Sequence, residues 1–371
     1  MRVMGMIYRI PMTAIIGDKG NGFYSYAYSV YTILLLLSSY SLPLAVSKMV
    51  SAKAQLGQWR NVKRVFICAI AFAIGIGTTF GLIVLIGAQF FTRVFFHSEL
   101  AAIALRFMAP TILIMALLGV FRGFFQGLQN TLPTAVSQIV EGLINAIMSV
   151  VFAYFLFDFG HEMDAASGAI GTGAGALAGL IFCFILFVAY RKILAVNISR
   201  DKTGTQQEYG DIFRLMLSIA LPVILSTALY NLIELVDGSL FNNIMASKGM
   251  EDVKDSMWGA YNAKALLLVH IPVSISSAMA VSLVPTLTAA YALGDEQTAK
   301  SKVHAILRFI SILAFPSAVG LLVLANPIIK TLFSGDTSAA STYLQVVCPA
   351  VITFSFSTIT NSILQGIDRM N

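Results

Sequence analysis

Ionisable side chains are scarce in this sequence: Asp, Glu, Lys and Arg make up 11% of its 371 residues, where a soluble domain carries about 25%. With 57% hydrophobic residues and a mean hydropathy of +0.81, that scarcity excludes a soluble globular protein. Cysteine is rarer still. Cys68, Cys183 and Cys348 lie in separate apolar runs, so neither a disulfide framework nor a thiolate metal site is expected. His97, His161, His270 and His304 are far apart, and no CxxC, HExxH, GxSxG or phosphate-loop pattern occurs. A membrane enzyme acting on polyprenyl-linked sugars would need a nucleophile or a paired acid and base, which the sequence does not assemble. No enzymatic activity, metal or cofactor is expected. The net charge of +6 is spread over short loops and forms no stripe for nucleic acid.

What the sequence has in quantity is long apolar runs. A helix needs about 20 apolar residues to cross about 30 Å of hydrocarbon, and nine segments qualify: 24–48, 65–91, 101–126, 132–157, 166–190, 212–243, 257–291, 305–333 and 340–366. The segment 1–16 is apolar but short, carries Arg2 and Arg9, and lacks a signal-peptide cleavage site; it reads as the outer part of a helix that begins earlier. Basic residues alternate between loops. Lys48, Lys53, Arg60, Lys63 and Arg64 flank one, Arg191, Lys192, Arg200, Lys202 and Arg214 another, and Lys300, Lys302 and Arg308 a third, while the alternate loops are poor in them. The rich loops are expected to face the cytoplasm.

An internal repeat organises the chain. Phe125-Gln-Gly-Leu128 returns as Leu364-Gln-Gly-Ile367, Ala45-Val-Ser47 as Ala280-Val-Ser282, Leu56-Gly57 as Leu293-Gly294, and Gly22-Phe-Tyr24 as Gly259-Ala-Tyr261. The matches are colinear and keep nearly one offset. They predict an all-α membrane protein of two parallel six-helix lobes: residues 1–190, a cytoplasmic linker at 191–211, and 212–371. By the same pairing about 18 residues are missing from the first helix, and the second lobe stops before its fifth helix. The chain is thus expected to be a fragment of a larger transporter.

The stretches Tyr8-Arg-Ile-Pro-Met-Thr-Ala-Ile-Ile-Gly-Asp-Lys-Gly20, Ser41-Leu-Pro-Leu-Ala-Val-Ser-Lys48, Phe121-Arg-Gly-Phe-Phe-Gln-Gly127 and Leu132-Pro-Thr-Ala-Val-Ser-Gln-Ile-Val-Glu141 resemble the polysaccharide biosynthesis, stage V sporulation protein B-like family. That family sits in the multidrug/oligosaccharidyl-lipid/polysaccharide flippase superfamily and includes MurJ-type lipid II flippases. The resemblance implies export of an undecaprenyl-pyrophosphate-linked sugar, for peptidoglycan or another polysaccharide, across the bacterial cytoplasmic membrane. A multidrug or toxic-compound extrusion antiporter is the alternative within the superfamily; it would want an aromatic and acidic pocket for organic cations.

A diphosphate crossing low dielectric needs paired positive charge. Arg9, eight residues before Gly17 and followed by Pro11, is the first candidate for substrate binding. Snorkelling to the interface is its bland alternative. Lipid II flippases carry a further arginine three residues before the helix-ending Gly, where this chain has Ala14. Lys264 and Arg122 are the other cationic candidates. The repeat pairing sets Arg9 opposite Gly238, next to Asp237; Asp237 and Glu234 are expected either to pair with cavity cations or to bind a coupling proton or Na+. Gln138, Glu141 and Asn145 form a polar stripe at helical spacing, which more commonly holds helices together; Glu141 can pair with Arg122. His270 is a mid-membrane titratable group. Arg106, Lys330 and His97 are expected to be interfacial anchors.

Overall fold

The computed structural model describes residues 2–156, 160–292, 295–333 and 337–366, and every regular element among them is a helix. In order they are α1 (Arg2–Leu35), α2 (Leu42–Gln55), α3 (Trp59–Phe96), α4 (Ala101–Gly127), α5 (Leu132–Leu156), α6 (His161–Ser199), α7 (Tyr209–Ser247), α8 (Glu251–Ala260), α9 (Leu267–Ala292), α10 (Glu296–Val323), α11 (Ala325–Leu332), α12 (Ser338–Val347) and α13 (Ala350–Gly366). Among the described residues seven helical runs are long and apolar enough to cross a bilayer, or eight with α12 and α13 taken as one bent span.

The departures from regularity have local causes. The short first segment and the 24–48 segment are joined in α1, which is broken at Gly17 with φ 68° and ψ 179°, a conformation that only glycine adopts readily. A π-helical turn at Leu36–Tyr40 joins α1 to α2, and a second at Tyr261–Leu266 joins α8 to α9. The expected single span 340–366 is bent by 43° between α12 and α13. Pro349 lies in this break; it has no N–H to donate, and its ring clashes with the carbonyl four residues earlier.

The chain divides into two compact units. Gly22–Asp255 forms the first; Arg2–Asn21 with the chain from Ser256 onward forms the second. This partition differs from the repeat halves, because the start of α1 is grouped with the later helices and α7 with the earlier ones. The core of the first unit is aromatic: Phe66 packs against Phe187 at 4.5 Å, Phe124 at 4.9 Å and Phe121 at 5.5 Å between ring centroids. The second unit is built on aliphatic residues of α9, α10 and α13, with Ile10 of α1 packed against them.

The motifs that carried the family resemblance pack on one another. A Cβ at Gly123 would lie 2.7 Å from the Pro43 carbonyl oxygen, and one at Gly127 2.7 Å from Val50 Cβ. The Phe121–Gly127 motif therefore supplies a small-residue face on which α2 can approach α4. Gly171 and Gly175 do the same on α6: a Cβ at Gly175 would meet the Glu141 carbonyl oxygen at 2.6 Å, and one at Gly171 would overlap Ser149 Oγ.

The polar segment between α6 and α7 is fastened to the start of α3. Asp201 Oδ2 accepts the Arg60 backbone N–H at 2.9 Å, and its Oδ1 accepts from the Thr203 N–H and hydroxyl at 2.9 and 2.6 Å. Asn61 donates to the Thr205 carbonyl and accepts from the Gln207 N–H, while Arg64 donates to the Gln207 carbonyl at 2.6 Å. The Arg60 backbone hydrogen bond, followed by the two from Thr203, holds the Asp201 carboxyl below the usual carboxylate range.

Candidate functional site

Two helix irregularities in the second unit meet at a buried ion pair. Lys264 lies within the π-helical turn Tyr261–Leu266 and is only 2% exposed. Its Nζ lies 2.7 Å from Oδ1 of Asp18 and donates a hydrogen bond to Oδ2 at 2.9 Å. Asp18 follows directly on the Gly17 break, which turns the chain out of the helical path of residues 2–16. The side chain of Asn21 donates to the Gly17 carbonyl at 2.7 Å, satisfying an acceptor that the break would otherwise leave open.

An isolated ammonium in such a place would lose its proton or draw in a counter-charge. Asp18 supplies that charge, and its side chain keeps 24% of its surface accessible against 3% for Lys264. The pair is therefore reached from the carboxylate side, although Asp18 Oδ1 itself is buried. π-Helical turns recur at functional sites because they displace side chains from the regular helical register.

The other expected site residues have different surroundings. Arg9 lies in the first stretch of α1, in the same unit as Lys264 and half-buried. Arg122 and Glu141 are brought together in the first unit: Nη2 to Oε2 is 2.7 Å, and Arg122 Nε donates to Ser137 Oγ at 2.9 Å. Ser137 donates in turn to the Thr134 carbonyl, and Gln126 donates to Thr134 Oγ1. This network joins α4 to α5, and Ser149 donates to Asn145 Oδ1 further along the same stripe. His270 is exposed on α9, its ring parallel to that of Phe354 with centroids 6.3 Å apart. Asp237 is exposed on α7. The Glu234 side chain lies outside the described residues. Among the described residues no group of three or more His, Cys, Asp or Glu side chains converges as metal ligands would.

Sequence reasoning missed Asp18. It stands in Gly17-Asp-Lys-Gly20, which reads as a polar loop end, so nothing marked it as the partner of a residue 246 positions away. The available signal was the burial of Lys264 itself, since a lysine deep in an apolar run requires an acid somewhere.

The family model described as "Polysaccharide biosynthesis protein" matches residues 1–290. The lipid II flippase MurJ of Bacillus subtilis (strain 168) is 26% identical, over 99% of this chain and 70% of the relative. The stage V sporulation protein B of the same organism is 24% identical over the same shares. Among solved structures, an inward-facing multidrug resistance MATE family transporter of the MOP superfamily aligns with a TM-score of 0.78 at 14% identity, covering all of this chain and 82% of that one. The inward closed conformation of a lipid II flippase MurJ aligns with a TM-score of 0.67 at 13% identity, covering all of this chain and 75% of that one. At such identities the two structures establish a shared fold.

Proposed function

Because the chain belongs to the polysaccharide biosynthesis protein family, we propose that it is a plasma-membrane flippase. It moves an undecaprenyl-pyrophosphate-linked sugar precursor, lipid II or a polysaccharide repeat unit, to the outer face by alternating access of its two repeat halves. Its loops rich in Lys and Arg lie on the cytoplasmic side. The observation that carries the reading is the buried Lys264 with its exchangeable Asp18 partner. A diphosphate replaces the carboxylate on the ammonium, so the lysine is never left unpaired in low dielectric. Arg9, in the same unit, provides a second cation for the same headgroup. An extruder of organic cations would instead present an unpaired acid and aromatic faces to its cargo.

Arg122 and Glu141 take a different part. Their network with Ser137 occupies Arg122 Nε and Nη2, and they hold α4 to α5. Asp237 and Glu234, one turn apart on α7, bind the coupling H+ or Na+; replacing Asp237 by Asn changes the dependence of transport on that ion gradient, and unchanged dependence removes the assignment.

The test of the whole reading is complementation. Expressed from its complete gene in a bacterium depleted of its own lipid II flippase, the protein restores growth, and Lys264→Gln at equal membrane abundance does not. Growth failure with abundant wild-type protein assigns the substrate to another lipid-linked glycan. Equal rescue by wild type and Lys264→Gln removes the lysine from the mechanism.

A further inference from the structure

Within the first unit, α3 carries an open apolar groove whose surroundings change from one end to the other. Residues Arg64, Cys68, Phe72, Gly75 and Thr79 recur at helical spacing on one face. From Cys68 to Thr79 they line a groove of about 430 Å³ closed on its far side by Phe213 of α7, whose ring meets that of Phe72 edge-on at 5.5 Å. The polar groups in the lining are already satisfied: the Thr79 hydroxyl donates to the Gly75 carbonyl at 2.8 Å, and Cys68 Sγ is 3.9 Å from the Tyr209 carbonyl. The groove thus offers an occupant only apolar contact.

Gly75 has no packing partner that explains it. A Cβ there would find nothing within 4 Å, whereas one at Gly77, on the other face of α3, would meet Leu113 Cα at 2.9 Å. Gly77 lets α4 approach; Gly75 leaves the groove floor bare. At the linker end the surface becomes cationic. Arg60 and Arg214 are exposed, and the Arg64 guanidinium is fixed 5.1 Å above the Tyr209 ring with hydrogen bonds to Gln206 and Gln207.

We propose that this face of α3 and α7 binds an anionic phospholipid, with one acyl chain in the groove and the phosphate against Arg60, Arg64 and Arg214. Length argues for an acyl chain over an isoprenoid. At the helical rise, Cys68 to Thr79 spans about 17 Å, close to the half-thickness of about 15 Å that one leaflet provides. Charge complementarity supplies the preference for an anionic head. The site is independent of the proposed transport activity.

The experiment measures lipids retained by the purified full chain, by native mass spectrometry, after exposure to phosphatidylglycerol or phosphatidylcholine with identical acyl chains. Phosphatidylglycerol is retained at least about fivefold better at low salt, and the preference shrinks as salt screens the head. Arg60→Gln with Arg214→Gln removes the preference. Gly75→Leu, whose Cβ enters open space, reduces retention of both lipids at an unchanged melting temperature. Equal retention of the two lipids by the wild type overturns the proposal, as does normal retention by Gly75→Leu. Displacement of phosphatidylglycerol one for one by undecaprenyl diphosphate also overturns it, because the groove then belongs to a polyprenyl chain.

Discussion

The two buried ion pairs of this protein have the same chemistry and opposite settings. Arg122–Glu141 joins two uninterrupted helices, α4 and α5, and is tied into Ser137, Thr134 and Gln126. Lys264–Asp18 joins a π-helical turn to a residue beside a glycine with positive φ. In the first, Arg122 donates to Glu141 and Ser137 from two regular helices, which suits permanent attachment. In the second, both backbones depart from the helix, which suits exchange; the two acids are about equally accessible, 21% for Glu141 and 24% for Asp18. A buried charge thus acquires its role from the regularity of the chain that carries it, not from the pairing alone.

Mutations can break that comparison at either pair. Asp18→Ala strands a buried ammonium and lowers stability by about 3–5 kcal/mol, read as a fall in melting temperature. Adding Lys264→Met restores the melting temperature, because a well-packed apolar replacement of an ion pair is close to neutral, yet transport stays lost. The corresponding series at the other pair ends differently. Arg122→Met alone also costs about 3–5 kcal/mol, but Arg122→Met with Glu141→Leu recovers both stability and transport. Loss of transport in that folded double variant would make Arg122 part of the substrate path.

A smaller effect sharpens the account of the regular pair. Gly123→Val drives a side chain toward the Pro43 carbonyl, where even a Cβ would stand at 2.7 Å, and costs about 1–3 kcal/mol through overpacking. Gly75→Val, with nothing near its Cβ, is expected to change stability much less. Equal melting temperatures for the two variants would mean that α2 and α4 do not rely on close approach.

The smallest effect concerns the fastened segment before α7. The carboxyl of Asp201 is held below its ordinary value by the Arg60 and Thr203 hydrogen bonds. Its stabilisation is therefore present above the unfolded carboxylate pKa of about 4 and is lost as pH falls through the lower folded value. Protection of the amides at 203 and 207 against hydrogen exchange, relative to the intrinsic rate at each pH, should fall on acidification below about pH 4, and Asp201→Asn should flatten that response. Persistence of the acid response in Asp201→Asn assigns it to another group.

The sequence revealed as much as its periodicity could carry. The apolar runs located the long helices, and the Phe121–Gly127 and Leu132–Glu141 stretches placed Arg122 near Glu141, because both helices are regular and joined by a short turn. Lys264 was legible as a cationic candidate at shallow depth in its helix, but its burial and its partner were not. A π-helical turn inserts an additional residue into the helical repeat, so a period of 3.6 projects Lys264 onto the wrong face. Asp18 was masked by a polar, glycine-flanked context that in other chains ends a helix at the membrane surface. The bend between α12 and α13 was not foreseen in the single span 340–366, although Pro349 stands in it, and its angle of 43° depends on packing that no local sequence pattern encodes.

The most direct test is translocation of a fluorescent undecaprenyl-diphosphate sugar in proteoliposomes, comparing the two apolar double variants at matched folding and insertion. Asp18→Ala with Lys264→Met is predicted to be inert, while Arg122→Met with Glu141→Leu translocates at close to the wild-type rate. Wild-type translocation by the variant lacking Asp18 and Lys264 would contradict the account.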